Sequence, residues 1–469
     1  MHEVTTSVVS PDQLRPLIGS KRLQRLQELA TRTKDKLDGC KVWNVNSTAA
    51  GGGVAEMLHG LVAYARGAGV DTRWLVTAGD PAFFALTKRV HNGLHGSPGD
   101  GGALGEEERR HYDEISAREG AALLEYISPG DVVILHDPQT LGLIRPAVEA
   151  GAEVIWRCHI GTEVANEHAT RAWEFLRPYI EQAPMSVYSR PGYVPSYVDV
   201  SKTVVIPPAI DPHSAKNEDL PDETVAAVLR HIGYAASDGA SDGAVSWEAP
   251  TGQERTVHRR AQVVGEGDPP PLEAPVVVQV SRWDRLKDMQ GLLEAFVDEL
   301  AGEGCHLALV GPSVAEVADD PEGAEVLAEC VRAWEALPDT VRRQIRLVTR
   351  PMDDGDENAA MVNAIQRHAA VVVQKSLMEG FGLTVAEAMW KSRPVVASAI
   401  GGILDQVVDE ESGILLQDPC DHAELQTALR RLLESSELAD RLGSAARARI
   451  NHEYLPDRQL RQWMELILR

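Results

Sequence analysis

Residues 369–390 place a short apolar run, a glycine-rich turn and the start of a helix in immediate succession. The run AAVVVQKS precedes residues 379–387, EGFGLTVAE, which lead into the helical pattern AEAMW. Such an apolar run predicts a buried parallel strand, and Gly380 and Gly382 allow a sharp turn and a close approach to a ligand. Strand and helix patterns alternate along the rest of the chain. This alternation predicts an α/β fold whose parallel sheets carry helices on both faces.

The turn itself carries groups suited to a sugar nucleotide. Glu379 and Glu387 stand eight positions apart on either side of it. The backbone N–H groups at the helix start form an anion site, and they belong to Phe381, Gly382, Leu383 and Thr384. Amides would bind a diphosphate, and carboxylates would bind hydroxyls. The alternative is a plain βα turn with a solvated capping acid.

A second segment, QVSRWDRLKD (279–288), directly follows the strand-like PVVVQV. Arg282 and Lys287 flank the predicted βα turn, and Lys287 is expected to enter the following helix. An arginine fork and a lysine charge could converge on one pair of phosphates. The alternative is a set of helix-start charge pairs with Asp284 and Asp288.

These two segments together resemble the donor-binding half of retaining glycosyltransferases of family 4. The resemblance implies the GT-B fold, with two Rossmann-like domains whose parallel sheets face a central cleft. The candidate catalytic residues are Arg282, Lys287, Glu379 and, in the first half of the chain, His159. The donor-binding residues that the resemblance implies are Gly52, Gly53, Gly380, Phe381, Gly382, Leu383, Thr384 and Glu387.

The first half of the chain narrows the resemblance. VWNVNSTAAGGGVAEMLH (42–59), DVVILHDPQT (131–140) and VIWRCHIGTE (154–163) are similar to motifs of the trehalose glycosyltransferring synthases. Those enzymes join a nucleotide-activated glucose to free glucose. The likeness covers most of residues 1–212 and 273–469. An acid commonly follows WRCHI in the family, whereas this chain has Gly161.

Candidate residues of the first half follow predicted strands. Gly52 and Gly53 would let the backbone approach the donor phosphate or the transferred sugar. His159 follows VIWRC and should emerge at the carboxyl edge of the sheet, where α/β proteins bind ligands; the resemblance implies that it faces the transferred sugar. His136 and Asp137, at the neighbouring strand end, are candidate acceptor ligands. Glu56 could reach the acceptor or complement the helix dipole.

The pattern predicts four segments. Residues 1–211 form an acceptor-side Rossmann-like domain with a leading helical arm, 1–40. Residues 212–272 form a linker with a flexible, Gly/Ser/Asp/Pro-rich insertion at 235–272. Residues 273–450 form the nucleotide-sugar domain. Residues 451–469 form an amphipathic helix, and by analogy with other GT-B proteins it packs back on the first domain.

Composition limits the partners. A formal charge of −24 argues against nucleic acid and anionic membranes, which attract basic faces. Five scattered cysteines without CxxC spacing, and the absence of a visible signal peptide or apolar span, indicate a cytoplasmic protein with reduced thiols. No cofactor or obligatory metal is expected. The alternative metal site is the D-x-D pair Asp354 and Asp356. Oligomeric state is open, and a homodimer is compatible with the sequence.

The expected reaction is retaining glucosyl transfer to free glucose, giving trehalose. The leaving phosphate accepts the acceptor proton, and no covalent nucleophile takes part. The donor could be UDP-, ADP- or GDP-glucose. Three alternatives stay open: a family 4 enzyme with another acceptor, a GT-B sugar-nucleotide epimerase, and a catalytically silent sugar-nucleotide-binding protein.

Overall fold

A computed structural model describes residues 1–49, 52–163, 166–236, 243–301, 304–314 and 321–469, without the side chains of Glu299 and Pro321. The chain divides into two compact units. Unit 1 comprises residues 1–209 and 454–469, and unit 2 comprises residues 210–453. Each unit has its own hydrophobic core and its own sheet.

Unit 1 alternates strands and helices. Its strands are β1 (His2–Glu3), β2 (Val42–Asn46), β3 (Thr72–Val76), β4 (Val132–His136), β5 (Glu153–Cys158), β6 (Met185–Tyr188) and β7 (Thr203–Val205). Its helices up to β7 are α1 (Arg15–Leu37), α2 (Gly53–Gly67), α3 (Pro81–Leu94), α4 (Glu106–Leu123), α5 (Asp137–Thr140), α6 (Ile144–Glu149) and α7 (Glu167–Ile180). The sheet order is β1-β3-β2-β4-β5-β6-β7, parallel except for β1.

Unit 2 repeats this plan. Its strands are β8 (Val245–Glu248), β9 (Glu254–Val257), β10 (Gln262–Val264), β11 (Val276–Val280), β12 (His306–Pro312), β13 (Ile345–Arg350), β14 (Val371–Gln374), β15 (Val395–Ser398) and β16 (Ile414–Leu416). Its helices are α8 (Asp222–His231), α9 (Met289–Glu299), α10 (Pro321–Glu335), α11 (Asp339–Arg342), α12 (Gly355–His368), α13 (Leu383–Trp390), α14 (Ile403–Gln406), α15 (His422–Glu434) and α16 (Ser436–Glu453). The main sheet has the order β10-β13-β12-β11-β14-β15-β16, parallel except for β10.

The final helix, α17 (Pro456–Ile467), belongs to unit 1. It packs on α1 and α2. Arg22 binds the Asp457 carboxylate through two hydrogen bonds of 2.8 and 2.7 Å, and Lys36 donates to the Ile467 carbonyl at 2.6 Å. A cation at the C-terminal carbonyls complements the helix dipole. Apolar burial and these polar contacts together fix α17 on unit 1.

Residues 212–272, expected to form a linker with a flexible insertion, contain α8, the β8–β9 hairpin and β10. Charge pairs with α12 hold the hairpin and the segment that follows it. Arg255 donates to Asp356 at 2.5 Å, and Arg259 donates to Glu357 at 2.7 Å. The Gly/Ser/Asp/Pro-rich composition, on which the expected flexibility was based, does not reveal these long-range contacts. Residues 237–242 of the predicted insertion lie outside the described residues.

Strand order places a topological switch point in each sheet. In unit 1 the chain leaves β2 for β3 on one side and returns to β4 on the other. In unit 2 it leaves β11 for β12 and β13, then returns to β14 on the opposite side. Ligands of open α/β sheets bind outside the carboxyl ends of strands at such points. The pairs β2/β4 and β11/β14 therefore mark where to look for function.

Candidate functional site

The two motifs predicted for the donor meet at the switch point of unit 2. The Lys287 Nζ lies 2.7 Å from the Glu379 Oε2, and the Ser376 hydroxyl donates to the same oxygen at 3.3 Å. Both charged side chains are mostly buried, at 14% and 13% exposure. Lys287 ends a 3-10 turn after β11, and α9 begins only at Met289, so the prediction that Lys287 enters the helix was wrong. Its side chain nevertheless reaches the predicted carboxylate.

A buried lysine fixes the backbone immediately after Lys287. Lys375, at 1% exposure, forms an ion pair with Asp288. Asp288 has φ 48°, a left-handed conformation that is costly for a residue with a side chain. A Cβ on Gly291 would lie 2.4 Å from Asp288 Oδ2, so glycine leaves the room this pair needs. The Lys375–Asp288 pair therefore holds the chain that presents Lys287.

Arg282 occupies the same βα connection but has a different partner. Its Nη2 donates to Asp284 Oδ2 at 2.8 Å, and its side chain is 51% exposed. Asp284 also accepts from the Leu286 N–H at 2.8 Å, capping the 3-10 turn. A guanidinium that is half exposed contributes little free energy to such a pair. The guanidinium can thus exchange Asp284 for a phosphate at small cost.

The glycine-rich turn before α13 is held by its neighbours. Gly382, with φ 86°, caps the helix start at Leu383. A Cβ on Gly402 would lie 2.7 Å from the Phe381 Cα, so the two backbone segments touch. Gln406 donates its side-chain N–H to the Phe381 carbonyl. Phe381 and Gly382 are buried, whereas Leu383 and Thr384 are half-buried. This packing presets the helix N-terminus predicted to bind phosphate.

Glu387 lies inside unit 2 beside a lysine that the sequence motifs did not indicate. Its side chain is 1% exposed, and the Lys216 Nζ lies 3.5 Å from its Oε1. The segment carrying Lys216 is anchored by Asn363, which donates to the Ala215 carbonyl at 3.0 Å and the Glu218 carbonyl at 2.8 Å. A cation thus lies beside this buried carboxyl group.

In unit 1 the predicted residues at the ends of β4 and β5 come together. The His136 Nδ1 lies 3.0 Å from the His159 Nε2, and the His159 backbone N–H donates to Asp137 Oδ1 at 2.8 Å. Asp137 has φ 61°, a left-handed residue directly after the strand. Such strain is typical of functional strand ends. His136, Asp137 and His159 thus form one cluster beside the switch point.

The predicted residues after β2 lie at the start of α2. Gly52 has φ 84° and open space where a Cβ would be, Gly53 begins the helix, and Glu56 is exposed in its first turn. A positive φ favours glycine at position 52. Gly51, the first glycine of the motif after the strand, lies outside the described residues.

The electrostatics of the unit 1 cluster depend on Arg157, a buried arginine on β5. Its Nη2 donates to the Ser189 hydroxyl at 3.1 Å, and the side chain is 1% exposed. Burial, together with Arg157, lowers the pKa of His136 to about 3 and also lowers the pKa of His159. Burial raises the pKa of Asp137 to about 7, against the effects of the His159 N–H and Arg157. Both imidazoles are therefore neutral at neutral pH.

We predict that His136 does not titrate between pH 5 and 8. An imidazole in the unfolded chain protonates near pH 6.5, so unfolding takes up a proton below that pH. His136 accordingly makes unit 1 less stable as pH falls from about 6.5 towards 3, and Asp137 acts in the opposite sense between about 4 and 7. NMR of ¹⁵N-histidine-labelled protein, with His136→Gln to assign the signal, measures this directly. A His136 midpoint near 6.5 would contradict the prediction.

Gly161, where the family resemblance led us to expect an acid, is packed against an aromatic ring. A Cβ at this position would lie 2.4 Å from the Tyr193 Cγ. Tyr193 is 2% exposed and Arg190 lies 5.7 Å from its ring centre. A side chain at position 161 would require the tyrosine to move. Tyr193 therefore occupies the space that a side chain at this position would fill.

The D-x-D pair considered for a metal has other partners. Asp354 Oδ1 accepts from the N–H groups of Asp356 and Glu357 at 3.0 and 3.1 Å, which caps α12. Asp356 pairs with Arg255. Within the described ranges, no cluster of three or more His, Cys, Asp or Glu side chains is placed to hold a metal ion. The two aspartates therefore have structural partners.

Four residues that shape the two site regions are not indicated by the sequence motifs: Asn44, Arg157, Lys216 and Lys375. Asn44 had a signal, because it is a polar residue inside the apolar strand β2, VWNVN. Lys375 follows the apolar VVVQ of β14 in the same way. A polar residue in or next to a buried strand must find a partner. Asn44 bonds to the site residue His136, and Lys375 pairs with Asp288, which directly follows Lys287. Lys216 had no local signal.

Among the helices that the structure describes, none combines the length and the apolar character of a membrane span.

Two family models match the chain. "Trehalose synthase, N-terminal domain" matches residues 44–195, and "Glycosyl transferases group 1" matches residues 267–449. They cover the switch-point residues of unit 1 and unit 2, respectively.

Relatives match nearly the full length. A trehalose synthase of Rubrobacter xylanophilus is 35% identical over 457 residues, covering 96% of this chain and 95% of that protein. A trehalose phosphorylase of Grifola frondosa is 24% identical over 479 residues, covering 97% of this chain but 60% of that protein. The higher identity and mutual coverage assign the chain to the first group.

A solved structure agrees in fold. The α,α-trehalose-phosphate synthase (UDP-forming) of Burkholderia xenovorans, in complex with glucose-6-phosphate, aligns with a TM-score of 0.65 at 11% identity. The alignment covers 91% of this chain and 99% of that one. This confirms the predicted pair of Rossmann-like domains with parallel-rich sheets. By sequence and fold, the chain belongs to the trehalose synthase family and is a hexosyltransferase of the GT-B fold.

Proposed function

We propose that the protein transfers glucose from a nucleoside-diphosphate glucose to free glucose, forming α,α-1,1-linked trehalose with retention at the transferred carbon. The observation that carries the proposal is the meeting of Lys287 and Glu379 at the β11/β14 switch point. A cation for a leaving diphosphate stands there beside a carboxylate for sugar hydroxyls. Membership of the trehalose synthase family supports the choice of glucose.

Unit 2 would bind the donor. Arg282, Lys287 and the N–H groups of residues 381–384 would stabilise charge on the leaving diphosphate, the electrostatic contribution that is usually largest. Glu387, beside Lys216, would accept hydrogen bonds from the ribose hydroxyls. Glu379 would orient the transferred glucose. Glu379 needs no covalent role in this scheme.

Unit 1 would contact the sugars. His159 is assigned to the transferred glucose, Asp137 to the acceptor side, and Glu56 to an acceptor hydroxyl, while Gly52 and Gly53 allow backbone approach to the donor. His136 was predicted as an acceptor ligand, but both of its ring nitrogens already bond to Asn44 and His159, so it would act on the sugar through His159. In the reaction, the bond from the anomeric carbon to the diphosphate oxygen breaks through an oxocarbenium-like state. The acceptor oxygen bonds to that carbon on the same face. Its proton passes to the departing phosphate oxygen, so no external base is needed.

Free glucose is proposed over glucose 6-phosphate as acceptor. The cluster proposed for the sugars consists of neutral imidazoles and a carboxyl, and Arg157 is 1% exposed behind them. A phosphorylated acceptor needs accessible cations. The phosphorylase relative supports a second candidate, in which inorganic phosphate and trehalose react reversibly to glucose and a glucose phosphate.

One assay separates these functions. Purified protein is mixed with UDP-, ADP- or GDP-glucose, with and without glucose, and nucleoside diphosphate is measured. We expect release only when glucose is present, with at least one donor. Faster release with glucose 6-phosphate would overturn the acceptor assignment, and turnover of trehalose with phosphate alone would favour the phosphorylase. An altered sugar without release would indicate an epimerase, and binding without turnover would indicate a silent binding protein.

A further inference from the structure

Three polar side chains from three adjacent strand regions of unit 1 form a continuous hydrogen-bonded relay. The Asn44 Oδ1 on β2 lies 3.1 Å from the His136 Nε2 at the end of β4. The His136 Nδ1 lies 3.0 Å from the His159 Nε2 just after β5. Asn44 and His136 are each 1% exposed. Within the relay, only the Nδ1 of His159 remains for a ligand.

The two imidazoles are joined edge to edge. Their planes differ by 13°, and their centres lie 5.3 Å apart while the bonded nitrogens are 3.0 Å apart. Rings packed face to face would not bring two edge nitrogens together at this centre distance. The hydrogen bond therefore runs in the plane of both rings, which is the direction of a nitrogen lone pair or an N–H bond. Each nitrogen must be a donor or an acceptor, not both.

Asn44 decides the direction of this relay. Its amide Nδ2 donates to the Arg73 carbonyl at 3.5 Å, so its carbonyl oxygen faces His136. Turning the amide over would place two oxygens against each other. Since the Asn44 oxygen accepts, the single N–H of the neutral His136 ring is on Nε2, and its Nδ1 carries a lone pair. The His159 Nε2 must then donate.

The remaining nitrogen of His159 follows by elimination. A neutral imidazole with a proton on Nε2 has a lone pair on Nδ1. Burial disfavours a second proton, as the lowered pKa of His159 indicates. In the ranges that the structure describes, no hydrogen bond reaches this Nδ1. It therefore presents an acceptor.

We propose that Asn44 is a positioning residue that sets the Nδ1 of His159 as a hydrogen-bond acceptor, so that the sugar site takes a hydroxyl group as donor there and rejects an anionic oxygen. The inference rests on the proposed function for the ligand, a glucosyl unit. It also explains why the site would prefer a hydroxyl group to a phosphate group. A phosphate oxygen at this position would face the lone pair of the His159 Nδ1 and could not donate a hydrogen bond to it. Asn44 need not touch the sugar.

A purely structural role for Asn44 would satisfy a buried histidine and nothing more. Asn46 supplies the matched control for that role. It lies on the same strand, is 3% exposed, accepts from the Trp74 indole at 2.7 Å and donates to the Thr48 carbonyl at 2.7 Å. Asn46→Leu and Asn44→Leu both remove a buried amide. Only Asn44→Leu should change His159.

The first test is ¹⁵N NMR of histidine-labelled full-length protein without substrate. We expect the His159 Nε2 to be protonated and the Nδ1 not, both in the native protein and in Asn46→Leu. Asn44→Leu should give a mixture of the two tautomers. A proton on Nδ1 in the native protein, or an unchanged tautomer in Asn44→Leu, would overturn the proposal. If Asn44→Leu does not fold, the native measurement and the next test still decide.

The second test uses glucose donors in which single hydroxyls are replaced by hydrogen or by fluorine, which accepts but cannot donate. At one position, kcat/KM should fall about tenfold or more with either replacement. This loss should disappear in His159→Ala. Fluorine that restores activity at every position sensitive to deoxygenation would mean that His159 donates, and would overturn the proposal. Absence of any glucosyl transfer would refute the proposed function while leaving the NMR result to judge the relay.

Discussion

Lys287→Ala is expected to lower kcat about 10²–10³-fold, the usual cost of removing one preorganised charge-stabilising group. Lys287 is held 2.7 Å from Glu379 at the carboxyl ends of β11 and β14. Its ammonium would meet charge that develops only as the diphosphate leaves, so kcat should change more than the KM for donor. Arg282→Ala is expected to fall in the same range. Steady-state kinetics measure both.

Arg285→Ala is the matched control for these variants. Arg285 lies in the same 3-10 turn, but it pairs with Glu329 at 2.8 Å on the exposed surface. A surface substitution of this kind changes the free energy of unfolding by about 0.5 kcal/mol or less, and kcat should remain near the native value. Activity should also persist in EDTA, because the two cations take the role of a metal. Loss restored by Mg²⁺ would favour a metal-dependent reaction instead.

The second large effect is expected from Lys375→Met. Removing one partner of a buried ion pair leaves the other charge uncompensated, which costs about 3–5 kcal/mol. Asp288 keeps 22% of its side chain exposed, so we expect a loss of about 3 kcal/mol in the free energy of unfolding, at the lower end of that range. Urea unfolding of the full chain measures it. Because Asp288 directly follows Lys287, kcat should fall as well.

The double variant Lys375→Met/Asp288→Asn separates charge pairing from lost packing. It removes both charges, so no uncompensated carboxylate remains, and stability should recover part of the loss seen in Lys375→Met. Coupling between contacting residues typically appears as a non-additive free energy of about 0.5–3 kcal/mol. If the double variant loses as much free energy of unfolding as Lys375→Met and Asp288→Asn lose together, the two side chains do not couple. In that case Lys375 would not hold the backbone after Lys287.

The strand–turn–helix pattern was enough to predict the fold. Apolar runs before SRWDRLKD and EGFGLTVAE correctly indicated buried parallel strands. The sequence predicts Lys287 as a phosphate ligand and Glu379 as a ligand of sugar hydroxyls, but it does not predict that their side chains pair. Both motifs follow neighbouring strands of one sheet, so their ends had to converge. A local pattern is therefore enough to predict which side chains lie at the ends of neighbouring strands.

Contacts that cross the sheet could not be predicted in this way. The relay from Asn44 through His136 to His159 spans residues 92 and 23 positions apart, and its direction depends on an amide orientation. Asp137 and Asp288 adopt a left-handed backbone conformation, which could not be predicted because neither residue is a glycine. Ordered structure within residues 212–272 depends on distant partners such as Glu357 on α12. Each of these features is decided by tertiary packing.

Retaining transfer of glucose to free glucose is tested by NMR analysis of the disaccharide made from nucleoside-diphosphate [1-¹³C]glucose and unlabelled glucose. We expect a ¹³C-labelled anomeric carbon in the α configuration, joined to the anomeric oxygen of the second glucose, with one nucleoside diphosphate released per linkage. A β signal at the labelled carbon, or a label on glucose that is not joined to a second sugar, would contradict it.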